Sequence, residues 1–348
     1  MPAHDIPGLL LVNLGTPRAP RTREVRRYLR EFLSDPRVLD MPAPLRWLTL
    51  ELAILPFRPR RSAEQYAKIW TRLGSPLLVL SRALAEKVQR RLGDSADVEL
   101  AMRYGSPSIP DALASFMRRG VRRIVVFPLY PQYSSAATGS SLEAVFRAAA
   151  REWNVPQLAV VPPFFDDPRY IDCFAEAAES CIREVEPERV FFSFHGLPQR
   201  QIRKSDRGAA HCLRSADCCE RASPDVLGDC YRAQCFATAR LLAERIGVPI
   251  ERRIVCFQSR LGRTPWIEPF TDVEVRQTAR RGVKRAVIVV PSFVADCLET
   301  LEEIALRAST DWRAHGGHML RLVPSLNDRD SWADAVVAIA RDASAWLA

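Results

Sequence analysis

Short, continuously apolar runs alternate with longer amphipathic segments along the chain. Apolar residues that do not alternate with polar ones are typical of strands buried on both faces of a parallel sheet. Such strands are predicted at 9–13, 98–104, 123–129 and 158–162, and again at 189–194, 253–258, 286–291 and 320–323. Helices are predicted between them, for example at 22–33, 63–72, 80–91, 142–152, 167–184 and 233–246. The pattern therefore predicts an α/β protein.

The even division of the strands predicts two Rossmann-like lobes, each with a parallel four-stranded sheet and with an active-site cleft between them. The first lobe is placed at 1–166 and includes an apolar lip at 41–61. The second is placed at 167–348 and includes a cysteine-rich insert at 205–231. The final helix, at 331–347, is expected to pack on either lobe.

Composition narrows the class of protein. Apolar residues make up 47% and charged residues 26%, which is ordinary for a soluble globular chain. No apolar stretch is long enough for a membrane helix, and the start lacks a secretory signal, so a cytoplasmic protein is expected. The net charge of +9 suits an anionic substrate, an anionic membrane surface or a solvated surface. The chain has no dense basic tract or zinc-finger spacing, which disfavours nucleic acid.

Polar and aromatic residues follow the carboxyl ends of the predicted strands, where ligands of open α/β sheets bind. Aromatic faces and an arginine there suit a flat, anionic ligand, although any single aromatic is more often part of a core. The residues concerned are Arg103, Tyr104, Tyr130, Tyr133, Trp266 and Phe293. No glycine-rich phosphate loop and no G-x-S-x-G elbow is present, which disfavours nucleotide and serine-hydrolase chemistry.

His195 ends a strong apolar strand, so its imidazole is expected to project from the strand tip and to accept a proton or bind a metal. Asp296, Glu299 and Glu303 are spaced by three and four residues and are expected to share one helix face. That row is able to guide a divalent cation or carry protons. A structural histidine and an ordinary acidic first turn are the alternatives.

Eight ordered motifs carry a resemblance to bacterial ferrochelatases over nearly the whole chain. They are LLLVNLGTP (9–17), YLREFLSDPRV (28–38), GSPL (74–77), MRYGSPS (102–108), PLYPQYSSAATGSS (128–141), SFHGLPQR (193–200), FQSRLGRTPWIEPFTD (257–272) and SFVADCLETLEEI (292–304). The resemblance implies insertion of Fe²⁺ into protoporphyrin IX to give protohaem with release of two protons, the last step of haem biosynthesis. No nucleotide is implied.

The resemblance also implies roles for particular residues. His195 and Glu299 match the catalytic pair, which also meets the substrate Fe²⁺, and Asp296 and Glu303 are expected to support an acidic path. Porphyrin contacts are implied for Arg58, Ser75, Arg103, Tyr104, Tyr130, Trp266 and Phe293. The lip at 41–61 matches a mobile segment of the family, and its apolar and basic residues suit peripheral contact with the inner face of a membrane. A helix packed on the core is the alternative.

The insert carries Cys212, Cys218, Cys219 and Cys230, and Cys235 follows it. Such density in a cytosolic loop favours a metal over disulfides, but the spacing fits neither zinc-ribbon nor ferredoxin patterns. Zinc, iron–sulfur and plain thiols therefore stay open. Resemblance to ferrochelatases with internal cysteines implies a 2Fe–2S cluster on four of the five, with Cys235 able to replace one of the adjacent pair.

Two rival functions remain at this point. One is a chelatase for another metal or tetrapyrrole, such as a cobalt chelatase acting on a corrin precursor. The other is a non-catalytic tetrapyrrole-binding or iron–sulfur sensor protein, which would bind haem without inserting iron. Retention of both His195 and the acidic row argues against the sensor. The preference for protoporphyrin IX over coproporphyrin rests on resemblance alone.

Overall fold

The computed structural model of the chain describes residues 6–260, 262 and 264–347. The ends of the two predicted lobes, 1–5 and 348, lie outside the described residues. So do Leu261 and Arg263 within the 257–272 motif. The chain divides into two compact units, which are described separately.

The first unit contains the chain up to Tyr130, together with Ser135–Pro163 and the residues from Asn327 onward. Its strands are β1 (Gly8–Gly15), β2 (Asp97–Tyr104), β3 (Arg123–Pro128) and β4 (Gln157–Val160), all parallel in the order β2-β1-β3-β4. The side chains of Leu9, Leu10, Leu11 and Val12 have no exposed surface, as expected for a central strand covered on both faces. The α-helices are Thr22–Ser34, Ala43–Leu48, Arg58–Ile69, Pro76–Leu92, Ile109–Arg118, Ser140–Ala149 and Asp330–Ala343, with π-helices at Thr49–Ile54 and Ser135–Gly139.

The second unit contains Pro131–Ser134 and Phe164–Leu326. Its strands are β5 (Arg189–His195), β6 (Arg253–Gln258), β7 (Arg285–Val289) and β8 (Met319–Leu322), again all parallel, in the order β6-β5-β7-β8. The two sheets therefore have the same topology. Its α-helices are Pro168–Val185, Gln199–Ser205, Pro224–Asp229, Tyr231–Arg245, Thr271–Arg280 and Ser309–Ala314, with a π-helix at Glu299–Ala308.

The predicted α/β class and all eight predicted strands are confirmed, with ends that differ by a few residues. The six predicted helices also form. Ile109–Arg118 and Thr271–Arg280 lie between successive parallel strands, where a crossover helix is required. The chain passes from the first unit to the second at Pro163, three residues before the predicted join at 166.

The final helix, Asp330–Ala343, belongs to the first unit, where it packs on the helix Pro76–Leu92. Arg91 Nε lies 2.5 Å from Asp334 Oδ1, and Arg91 Nη2 lies 3.0 Å from Asp330 Oδ1. Lys87 Nζ lies 3.4 Å from both Asp328 and Asp330. These ion pairs fix the orientation of the helix, but they are partly solvated, so the apolar face supplies most of the stabilisation. Among the described residues, no helix combines the length and the apolar character needed to cross a bilayer.

Candidate active site

His195 is the last residue of β5 and pairs with Gln258 at the end of β6. The next residue, Gly196, donates its N–H to the Gln258 carbonyl at 2.7 Å. A Cβ on Gly196 would lie only 2.8 Å from that carbonyl oxygen and 3.3 Å from the Trp266 ring. The glycine is therefore required by close packing, and the tight approach keeps His195 at the strand tip.

The half-buried imidazole of His195 has a defined tautomer. Its Nδ1 lies 2.7 Å from the carbonyl oxygen of Gly196. Because a carbonyl oxygen only accepts hydrogen bonds, Nδ1 carries a proton, and in the neutral imidazole Nε2 therefore holds the lone pair. The Phe293 ring meets the imidazole edge-to-face, with centroids 6.2 Å apart. His195 therefore presents one nitrogen that is able to take a proton or bind a metal.

Gln258 joins the strand of His195 to the acidic segment. Its side-chain Oε1 accepts the Ser193 hydroxyl at 2.8 Å, and its Nε2 donates to the backbone carbonyl of Glu299 at 3.1 Å. Gln258 is almost fully buried, so these bonds are shielded from water. Glu299 is the first residue of the π-helix Glu299–Ala308. The sequence pattern places Gln258 at a strand end but gives no sign of these two contacts.

Glu303 is held by the residue that follows β6. Ser259 donates its N–H at 3.0 Å and its hydroxyl at 2.5 Å to the two carboxylate oxygens. Its φ of +64° lies in the left-handed region, which is unusual for serine and aims both donors at one carboxylate. Burial raises the pKa of Glu303, and the negative charge of Glu299 raises it further. The hydrogen bond from the Ser259 hydroxyl and the charge of His195 lower the pKa, but they do not outweigh burial.

The prediction that Asp296 shares a helix face with Glu299 and Glu303 is wrong. Asp296 precedes the π-helix and is 8% exposed. Its Oδ1 accepts the Thr300 hydroxyl at 2.9 Å and lies 3.5 Å from the backbone N of Ser325. These bonds make Asp296 a support for the start of the helix.

Trp266 lies beside the same strand tip. Besides its ring contact near Gly196, its backbone carbonyl accepts the Gln199 side chain at 3.2 Å. Together with Phe293, it gives the half-buried His195 aromatic neighbours within the second unit. The structure therefore brings together His195, Glu299, Glu303, Trp266 and Phe293. The other residues predicted to contact porphyrin belong to the first unit, namely Arg58, Ser75, Arg103, Tyr104 and Tyr130.

The sequence led us to expect that the Arg103 guanidinium is available to bind a carboxylate of the ligand. In the structure it is bonded to other residues of the protein instead. Its Nη2 lies 2.6 Å from Asp35 Oδ2, and its Nε donates to Ser140 Oγ at 2.7 Å. Asp35 also accepts the hydroxyls of Tyr104 at 2.9 Å and Ser140 at 2.5 Å. Desolvation raises the pKa of Asp35, but the bonds from Ser140, the Arg37 backbone and Tyr104, with the charge of Arg103, outweigh it and hold the pKa low.

Tyr104 has no exposed surface, so its ring does not wall a ligand in this structure and that expectation is corrected. Tyr130 is half-buried, and its hydroxyl accepts a bond from Ser141 at 3.3 Å. Ser75 is buried and accepts the Thr16 hydroxyl at 2.8 Å, whereas Arg58 is exposed at the start of a helix. Porphyrin contacts by Arg58, Ser75 and Tyr130 stay predictions.

The insert cysteines interact with one another. Cys212, Cys218 and Cys230 are buried, and Cys219 is partly exposed. The Cys219 thiol hydrogen-bonds to Cys230, which lowers the pKa of Cys230 and raises that of Cys219. The Cys212 thiol also forms a hydrogen bond with Cys230. The environment therefore favours a thiolate at Cys230, the form that binds metals.

Arg232 lies over the adjacent cysteine pair, with Nη1 3.0 Å from Cys219 Sγ and 3.9 Å from Cys218 Sγ. Its buried Nε has no hydrogen-bond partner among the described residues. Cys235 is fully buried, and its thiol forms a hydrogen bond with the side chain of Tyr231. As the side chains stand, no three His, Cys, Asp or Glu within 6–260, 262 and 264–347 are placed to hold a metal ion. The insert thus has suitable donor chemistry without a preformed metal-binding geometry.

Comparison of the backbone with solved structures gives the fold. SirB from Bacillus subtilis with Fe³⁺ matches with a TM-score of 0.55 at 17% identity, covering 97% of this chain and 95% of that one. The sirohydrochlorin chelatase SirB from Bacillus subtilis subspecies spizizenii, in complex with cobalt, matches with a TM-score of 0.54 at 13% identity over the same shares. At these identities the match establishes a chelatase-like fold and nothing finer.

Sequence comparison is more specific. The Ferrochelatase family model matches residues 7–344. A ferrochelatase of Coxiella burnetii (strain Dugway 5J108-111) is 46% identical over 334 residues, which cover 96% of this chain and 93% of the relative. A ferrochelatase of Azotobacter vinelandii is 47% identical over 333 residues, which cover 96% and 98%. The predicted resemblance is confirmed, and the chain belongs to the ferrochelatase family.

Proposed function

We propose that this chain is a ferrochelatase that inserts Fe²⁺ into protoporphyrin IX, giving protohaem and two protons in the last step of haem biosynthesis. The observation that carries the proposal is His195, whose protonated Nδ1 leaves Nε2 as an acceptor at the end of β5. The membership of the chain in the ferrochelatase family supports the assignment of this reaction. The iron is a substrate, and the chemistry requires only that two pyrrole protons leave as the metal enters.

The residues divide the proton chemistry between them. His195 Nε2 removes a pyrrole proton as a general base, and Glu299 supplies negative charge near the entering cation. Glu303, whose pKa is raised by burial, takes up a proton more readily than an exposed glutamate. It therefore suits the next position on an acidic exit path. Asp296 contributes by holding the start of that path through Thr300.

Aromatic side chains supply the geometry of the reaction. A planar macrocycle hides its nitrogen lone pairs, so binding must favour a puckered form that resembles the transition state. We infer that Trp266, whose ring lies close to Gly196, and Phe293, whose ring meets the His195 imidazole, press on such a ligand. Their rigidity makes distortion effective, because little conformational entropy is lost on binding.

Anaerobic insertion assays test this function directly. Fe²⁺ with protoporphyrin IX should give the haem spectrum at a higher kcat/KM than Fe²⁺ with coproporphyrin III. Preference for coproporphyrin III would change the assigned substrate, and insertion of Co²⁺ into a corrin precursor alone would favour the cobalt chelatase. Haem binding without any insertion would favour the sensor protein.

We further propose that Cys212, Cys218, Cys219 and Cys230 hold a 2Fe–2S cluster. Three observations support this donor set: the hydrogen bonds of Cys230 with Cys212 and Cys219, the thiolate favoured at Cys230, and the Arg232 guanidinium over the adjacent pair. Because the Cys235 thiol is hydrogen-bonded to Tyr231, we favour the four insert cysteines as ligands over a set that includes Cys235. When bound, the cluster supplies a one-electron redox centre, and Arg232 offsets part of its negative charge.

Cysteine variants test the ligand set. The protein as purified should absorb visible light, and Cys219→Ser or Cys230→Ser should remove that absorption because a ligand is lost. Cys235→Ser should keep it, as should Cys181→Ser, a buried cysteine on the helix Pro168–Val185. A colourless wild type with stoichiometric zinc would contradict the cluster. Bleaching by Cys235→Ser alone would contradict the ligand assignment.

The lip is proposed to make peripheral membrane contact from the cytoplasmic side. Its large apolar side chains face outward, whereas Leu50 and Leu55 anchor it inward. A bidentate pair between Arg30 and Glu51 ties it to the helix Thr22–Ser34. The exposed apolar set is Leu45, Trp47, Leu48, Leu52 and Phe57, followed by the exposed bases Arg58, Arg60 and Arg61. Apolar residues beside bases suit an anionic lipid surface.

The double variant Trp47→Glu/Leu52→Glu should reduce binding to phosphatidylcholine/phosphatidylglycerol vesicles roughly tenfold, because both lose apolar burial in the interface. Co-sedimentation measures the effect. Trp153→Glu is the matched control, since Trp153 is 97% exposed elsewhere in the first unit. An equal loss with Trp153→Glu, or no vesicle binding by the wild type, would contradict lip-mediated contact.

A further inference from the structure

Tyr231 links two strand ends of the second unit. It is the first residue of the helix Tyr231–Arg245 and is 6% exposed. Its hydroxyl donates to the backbone carbonyl of His195 at 2.8 Å and lies 3.2 Å from the Ser292 hydroxyl. Ser292 follows β7 and precedes Phe293, whose ring meets the imidazole of His195. One buried hydroxyl therefore contacts the backbone that carries the base and the segment that carries its aromatic neighbour.

The hydrogen bonds at this hydroxyl have one consistent arrangement. A tyrosine hydroxyl has a single hydrogen, which must go to the His195 carbonyl because that oxygen only accepts. The Ser292 hydroxyl consequently donates to Tyr231 Oη. The Cys235 thiol also meets this hydroxyl, whose oxygen has lone pairs left to accept from it. The bridge is therefore a fixed contact.

We propose that Tyr231 is a positioning residue for the metal-insertion reaction, which holds His195 Nε2 and Phe293 in register with the substrate. The inference rests on the proposed function. When a catalytic group is misplaced by a fraction of an ångström, the stabilisation of the transition state falls more than the affinity for the substrate does. Loss of the hydroxyl should therefore lower kcat and leave the KM for porphyrin unchanged.

Tyr231→Phe tests this with Tyr170→Phe as the matched control. Tyr170 is also buried, and its hydroxyl donates to the carbonyl of Pro291 at 2.6 Å, next to Ser292 in sequence. Tyr231→Phe should lower kcat for Fe²⁺ insertion about tenfold at constant porphyrin KM. Tyr170→Phe should stay within about twofold of the wild type, because its bond does not involve His195. Urea unfolding of both variants measures any loss of stability.

A double variant separates positioning from general loosening. With His195→Ala as background, Tyr231→Phe should cause a smaller further fall in the residual rate than it causes in the wild type, because one of the two groups that it positions is gone. Ser292→Ala is a second probe and should also lower kcat at constant KM, since it removes one constraint on the Tyr231 hydroxyl.

Three results would overturn the inference: unchanged kcat in both Tyr231→Phe and Ser292→Ala, a rise in KM without a fall in kcat, or an equal fall in kcat for Tyr170→Phe. A wild type that inserts no metal would instead overturn the proposed function. The two failures are therefore distinguishable.

Discussion

Replacing His195 with alanine should lower the rate of Fe²⁺ insertion by about 100- to 10,000-fold, which is the usual contribution of a positioned general base. The physical reason is the loss of Nε2, the imidazole nitrogen that the Gly196 carbonyl leaves as an acceptor. Porphyrin binding should change little, because the proposed role of the imidazole is to take a pyrrole proton and not to hold the macrocycle. Anaerobic stopped-flow assays and porphyrin fluorescence titration measure the two quantities separately.

His315 provides a matched control. It is also half-buried in the second unit, and its Nδ1 lies 2.7 Å from a backbone carbonyl, that of Asp311. His315→Ala should leave insertion within about twofold of the wild type, because His315 lies near the end of the helix Ser309–Ala314 and not at a strand tip. Retention of activity by His195→Ala would refute the catalytic assignment, and so would an equal loss in His315→Ala.

Replacing Asp35 with alanine should reduce the free energy of unfolding by about 3 to 5 kcal/mol, the cost of removing one partner of a buried ion pair. Arg103, with 21% of its side chain exposed, would lose its counter-ion. The hydroxyls of Tyr104 and Ser140 would lose their shared acceptor. Urea unfolding at neutral pH measures the difference.

The pH dependence has a defined sign. The folded-state pKa of Asp35 lies below its ordinary value, so the stabilisation is present above about pH 4 and is lost as the pH falls further. The difference between wild type and Asp35→Ala should therefore shrink under acid conditions. Glu51→Ala breaks the more exposed pair with Arg30 and should reduce the free energy of unfolding far less, because water screens that pair. Equal effects of the two substitutions would contradict the buried-pair interpretation.

The strands were predictable because a strand covered on both faces leaves a continuous apolar run, as in Leu9–Val12. The π-helix was not. Spacings of three and four residues predict a shared face in an α-helix, but the tertiary contacts of a segment decide its winding and its first residue. Here Gln258 bonds the carbonyl of Glu299, and Asp296 lies before the helix begins. Hydrophobic periodicity carries no information about either contact.

The sequence correctly placed His195 at a strand tip, but strand position did not reveal the internal contacts of Arg103 and Tyr104. All three lie at strand ends, yet Tyr104 is fully buried and Arg103 is paired with Asp35, a residue 68 positions earlier. A buried partner so distant in sequence is invisible to motif spacing. Tyr231 was missed for the same reason, since its partners His195 and Ser292 are 36 and 61 residues away.

The bond between Tyr231 and His195 has a consequence for the design of simplified variants. Tyr231 directly follows Cys230, so the cysteine-rich loop and the anchor of the base are joined by a single peptide bond. Trimming that loop would therefore disturb the catalytic rate as well as the cysteines. A shortened enzyme would keep its turnover only if the new loop delivered the chain to Tyr231 at its present position and angle.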